Sequence, residues 1–206
     1  MHKSYCYFAM MLFTNSAIAQ EHLLHAKIKE GSSFLFSQEL RKNGQFSGVF
    51  SPRFEALARN KSNGLIFTIG DGPPQKSSPQ EITKIVYQLN VDACVVDVTN
   101  GMALVNGVDC DKPLATDANW KTIDRSNKEM TCAVKQAEEI EVRAGKFNAL
   151  QIECRSDKNK LGNSTVANLW YVARLGSMVK TIHRGIDANG DELYLITSEL
   201  VSCRFK

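Results

Sequence analysis

The chain has 206 residues, 43% of them hydrophobic, and its 25 Lys and Arg against 22 Asp and Glu leave a net charge of +3 with both signs interspersed. No basic block stands out, which argues against a nucleic-acid partner, and the length suits one domain with a proper core or two small ones. The four histidines are scattered and neither Gly-x-Ser-x-Gly nor His-Glu-x-x-His occurs, so no catalytic residue is assigned and the chain is read as a non-enzyme.

Residues 1–19 open with Lys3 as their single charge, continue through the apolar run Cys6-Tyr7-Phe8-Ala9-Met10-Met11-Leu12-Phe13 and finish on Ala17-Ile18-Ala19. A positive start, a short greasy core and a small-x-small ending predict a secretory signal peptide cleaved before Gln20. The remainder, 20–206, is expected to form a single β-rich domain with two sheet halves meeting near 110–120. Cys6 does not follow the small residues, which favours a soluble exported protein over a lipid-anchored one. No later segment approaches a membrane span, so no transmembrane segment is expected after signal removal. Outside the leader stand Cys94, Cys110, Cys132, Cys154 and Cys203, which in an oxidising compartment predict up to two disulfides and one thiol left over. The absence of Cys-x-x-Cys argues against a thioredoxin-like redox site.

In chain order, His22-Leu-Leu-His25 has no third or fourth ligand nearby and reads as exposed histidines, with no metal assigned. A strand enters at Phe34 and turns at Asn43-Gly44; residues 45–69 read as two further strands with Asn63-Gly64 between them. Gly70 to Pro79 contains three prolines, which remove the backbone donors a phosphate cradle needs, so it reads as an exposed loop. Ile82 to Val98 resumes a strand pattern, turns at Asn100-Gly101 into Met102 to Val105, and Trp120 opens the second half.

The stretch from Cys132 to Cys154 reads as a hairpin joined at Ala144-Gly145-Lys146, with Gly145 supplying a positive φ. Val134, Ile140 and Val142 share one parity and Lys135, Glu139, Glu141 and Arg143 the other, as in a strand with one buried face; Leu150, Ile152 and Cys154 repeat this in the return arm. If Val142 stands opposite Leu150, Cys154 faces Glu138 and Cys132 falls about 20 Å away, beyond the roughly 7 Å Cα limit for a bridge. The pair then closes only if the first strand bulges near Gln136. After a polar loop at 156–163, Thr165 to Ala173 reads as a central strand that sends Trp170 and Tyr171 to opposite faces, one ring into the core. Asp187 to Glu192 lacks the distal Glu of a calcium loop and reads as an Asn189-Gly190 hairpin turn. Glu192 to Phe205 is a long terminal strand.

Val142-Arg-Ala-Gly-Lys-Phe147, followed by Trp170-Tyr171 and Gly176-Ser-Met-Val-Lys180, resembles a largely uncharacterised family of bacterial envelope domains. Its members carry a Val-x-Ala-Gly-x-Phe hairpin, then a Trp-Tyr strand, then Gly-x-x-Val-Lys. Gly31-Ser-Ser-Phe34 is similar to the family's Gly-x-x-Trp opening, with Phe34 in place of the indole, and Arg143 and Ala173 stand where prolines are frequent. The resemblance implies an exported, mainly β fold: an antiparallel sheet of long curved strands, half-barrel or sandwich-like, with at most minor helix.

The resulting expectation is a periplasmic, non-catalytic binding protein without cofactor that holds a lipid-like or hydrophobic ligand on the curved sheet. Trp170, Tyr171 and Phe147 are the candidate ligand-binding residues; Gly145, Cys132 and Cys154 are structural. The alternative is a protein-interaction, inhibitor or assembly module whose partner is another envelope protein.

Overall fold

A computed structural model describes residues 31–59, 65–71, 87–88, 93–97, 102–106, 114, 116–123 and 128–204. Its strands are β1 (Ser33–Lys42), β2 (Gln45–Phe50), β3 (Pro52–Arg59), β4 (Leu65–Asp71), β5 (Tyr87–Gln88), β6 (Ala93–Asp97), β7 (Met102–Asn106), β8 (Asn119–Ile123), β9 (Glu129–Val142), β10 (Gly145–Ser156), β11 (Ser164–Val172), β12 (Ser177–Ile186) and β13 (Glu192–Arg204). They share one sheet in the order β5-β4-β3-β1-β13-β12-β11-β10-β9-β8, with β2 on β1 and the β6–β7 pair on β12. Every pairing is antiparallel except a parallel contact of Ser177 with Val96. Among the described residues the one helical element is a 3-10 turn at Ala173–Leu175. The mainly β, antiparallel expectation holds, and the sheet does not close into a barrel.

Local chemistry sets the hairpins. Asn43 and Gly44 adopt φ of 48° and 74° between the paired Lys42 and Gln45, the twist-matched geometry of a two-residue turn. At Asp187 to Asp191 the Asp187 carboxylate accepts the backbone N–H groups of Asn189 and Asp191 at 2.8 and 2.9 Å, and Gly190 takes φ 96°, so these acidic residues build a turn. The span 45–69 holds three strands where two were expected. Both β2 and β3 lie along β1, and Pro52, which has no N–H to give a ladder, starts the second of them. Asn63-Gly64, Asn100-Gly101 and the signal at 1–19 lie outside the described residues.

The central hairpin differs in register from the sequence expectation. Val142 pairs with Gly145, not Leu150, so the turn is Arg143-Ala144, and Leu150 stands opposite Ala137. A bulge at Lys135, between the pairs Gln151–Gln136 and Ile152–Val134, absorbs one residue and brings Cys132 opposite Cys154. The two sulfurs are bonded, with Cα atoms 4.0 Å apart. Cys203 is also in a disulfide, and no free thiol occurs among the described residues.

Gly145 has φ 131°, and a Cβ built on it meets nothing within 4 Å, so any penalty for a side chain there is purely conformational. Gly145→Ala should destabilise by about 1 kcal/mol, lowering the melting midpoint by roughly 2–4 °C. An unchanged midpoint would mean that the turn relaxes to negative φ at no cost.

The sheet forks between β12 and β13. Their ladder runs from Ile186–Glu192 to Lys180–Glu199; beyond it Ser177 to Val179 stay with β11, whereas Leu200 to Arg204 follow β1. Each backbone edge freed by the split finds a partner, as buried polar groups require. Ser177 pairs with Val96 of β6, and the Leu200 carbonyl accepts the N–H of Ala144 from the β9–β10 turn at 3.0 Å. Followed strand by strand, the register puts Phe34, Phe36, Phe54 and Leu200 on one side of the sheet and Val142, Phe147, Ala149 and Val172 on the other. All eight nonetheless form one buried cluster. Opposite sides of one sheet meet only in the wedge between diverging branches. This corrects the reading of β9 as a strand with one buried face: Val142 fills the wedge, whereas Val134, on the far side of the bulge, belongs to a second cluster.

Candidate ligand-binding site

The second cluster lines one face of β8 to β12, hereafter the inner face. Cys132 and Val134 come from β9, Leu150 and Ile152 from β10, Leu169 and Tyr171 from β11 and Met178 from β12; all are buried. The opposite face of these strands is covered at the wedge end, by the cluster of Val142, Phe147, Ala149 and Val172, and meets solvent further along. Arg155 and Arg184 are exposed there, and Arg155, with Lys135, holds the Glu153 carboxyl below its ordinary range.

The chain curls back around the inner wall. β6 joins the edge of β12, β7 pairs with β6, and β7 approaches β8 to within 8 Å between Cα atoms. β8 is hydrogen-bonded to β9, and no ladder joins β7 to β8 among the described residues. The circuit β12-β11-β10-β9-β8 is thus bridged by a hairpin whose far edge is a seam.

Tyr171 stands in the middle of that wall, fully buried, and its hydroxyl finds no hydrogen-bond partner within the protein. Burial pushes its phenol well above the ordinary range, so the group stays a neutral O–H donor. A pKa raised in the folded state contributes stability that is complete below the unfolded value near 10 and is lost as pH rises beyond it. Tyr171→Phe should raise the neutral-pH melting midpoint by roughly 2–4 °C, since an unsatisfied buried hydroxyl costs about 1 kcal/mol or more. It should also flatten the fall in stability above pH 10. A lower midpoint in the variant would show that the hydroxyl is satisfied.

Trp170, one residue earlier, points to the other side. Its ring is half-buried against the wedge cluster, its Nε1–H donates to Glu138 Oε1 at 2.7 Å, and Lys180 Nζ lies 5.3 Å from the ring centroid. Phe147 is buried within the wedge itself. The three rings singled out in the sequence therefore do not converge: two belong to the wedge and its rim, and Tyr171 alone faces inward. The contacts that Glu138, Lys180 and Met178 make with these rings were not foreseen, because they depend on cross-strand register, which periodicity does not encode. His183 is buried on the inner side of β12, opposite Ala167. No group of three or more His, Cys, Asp or Glu is placed to hold a metal among the described residues, and His22, His25 and residues 72–79 lie outside them.

No protein-family model and no curated protein matches the chain. Among solved structures it is similar to a Bacteroides fragilis protein assigned as exported, with a YmcC-like fold, at 10% identity and TM-score 0.42 over 86% of this chain and 97% of that one. It is also similar to a Parabacteroides distasonis protein assigned as a lipoprotein, at 14% identity and TM-score 0.37 over 85% and 96% of the two chains. A DUF1329 family protein from Desulfovibrio piger follows at 8% identity and TM-score 0.30, covering 85% of each.

Proposed function

We propose that the chain is an exported, non-catalytic protein of the bacterial envelope that holds a lipid-like or hydrophobic ligand against the inner wall of its curved sheet, in the periplasm. The observation that supports this reading is the apolar inner face of the sheet. Away from the β9–β10 turn, one sheet face from β8 to β12 is lined with buried apolar side chains, and among the described residues no ladder joins β7 to β8. The leader-like start and the oxidised cysteines agree with export. Native mass spectrometry of protein recovered by osmotic shock should show an added mass that organic solvent removes. A clean polypeptide mass under gentle conditions would sink the proposal.

A second reading, a protein-interaction or assembly module, is favoured by one separate feature. Phe46, Val49 and Phe50 stand 63, 57 and 52% exposed on β2, which pairs with β1 on one side. Serine at all three positions should leave the fold intact and abolish in-cell cross-linking of the protein to an envelope partner. Unchanged cross-linking would remove β2 from consideration.

A further inference from the structure

We propose that the Tyr171 hydroxyl is the interior polar anchor of the chamber, and that it selects acyl chains joined to their head by a neutral carbonyl, as in an acylglycerol, which enter at the seam between β7 and β8. This rests on the ligand-holding reading above and gives it a chemistry.

Two observations set the ligand class. The hydroxyl is a buried donor without a protein acceptor, so a ligand oxygen placed there recovers a hydrogen bond that the fold leaves unmade. Around it the buried inner wall from β8 to β12 is built from side chains such as Leu150, Leu169 and Met178, with no Lys or Arg among them; Lys146, on the same face of β10 beside the turn, is exposed and lies 3.8 Å from both Glu139 and Glu141. A carboxylate or phosphate buried beside a single neutral donor would remain largely uncompensated. An ester or amide carbonyl needs one donor and an apolar surround, which is what the wall offers. The unbranched thioether of Met178, cross-strand partner of Tyr171, can adjust to chains of different shape. Any charged or strongly hydrated head then stays outside, at the seam.

The test uses the full chain and the fluorescent apolar probe N-phenyl-1-naphthylamine, displaced either by 1-monooleoylglycerol or by 8-heptadecene, which has an aliphatic chain but no carbonyl. In the wild type both should displace the probe. In Tyr171→Phe, which keeps the ring and its packing, affinity for monooleoylglycerol should fall about two- to tenfold, the worth of one net hydrogen bond, with heptadecene unchanged. Equal monooleoylglycerol affinity in the two proteins would overturn the anchor and leave the chamber standing. So would an equal loss for both ligands, which would report a change of shape. Failure of either ligand to displace the probe from the wild type would overturn the chamber itself.

Discussion

Phe36→Ala should cost about 3–5 kcal/mol and lower the melting midpoint by on the order of 10 °C. The ring is fully buried in the wedge, edge-on to Phe54 with centroids 5.7 Å apart, and Leu200 is its cross-strand partner. The wedge cannot collapse to fill the gap without moving whole strands, because its walls are the two branches of the fork, each held by its own ladder. Chemical denaturation followed by circular dichroism measures the loss. Leu161→Ala is the matched control, since Leu161 is 76% exposed and should change stability by less than about 0.5 kcal/mol. A Phe36→Ala loss as small as the control's would mean that the branches are not held together by packing.

Removing the cross-link between β9 and β10 should have an effect of similar size. Cys132 and Cys154 are 22 residues apart in sequence, and releasing a loop of that length gives the unfolded chain about 3 kcal/mol of entropy. The Cys132→Ala/Cys154→Ala double variant should therefore melt roughly 6–12 °C lower than the oxidised wild type. Because Cys203 is also bonded, a reducing agent should lower the variant's midpoint further. If variant and wild type melt together, the β9–β10 ladder fixes the register without help from the bond.

Much of the architecture was legible because it is local. Asn43-Gly44 and Asn189-Gly190 state their turns in residue chemistry, and the alternation around Leu150, Ile152 and Cys154 declares a strand whatever lies beside it. The register of the central hairpin was not legible. It turns on one extra residue at Lys135, an ordinary lysine whose bulge is decided by the need to seat Cys132 opposite Cys154 and Val142 in the wedge. The fork was equally hidden: a periodicity of two says that a strand has two sides, and nothing about both being covered at different ends. For the site, opposite orientations for Trp170 and Tyr171 followed from adjacency alone. That the inward ring is the tyrosine, and that its hydroxyl goes unanswered, depended on five neighbouring strands.

The side chain of Gln38 in β1 donates to Ser198 in β13, 160 positions further along the chain. Closing so long a loop is entropically slow, and until β13 exists the β1 strand has no ladder to join on that side. In a polypeptide that leaves a ribosome or a translocation channel head first, the stretch around Phe34 and Phe36 therefore waits, with its greasy surface bare, for almost the entire molecule to follow. That interval is when a holding chaperone would matter most, and refolding in its absence should lose material to aggregation in proportion to concentration.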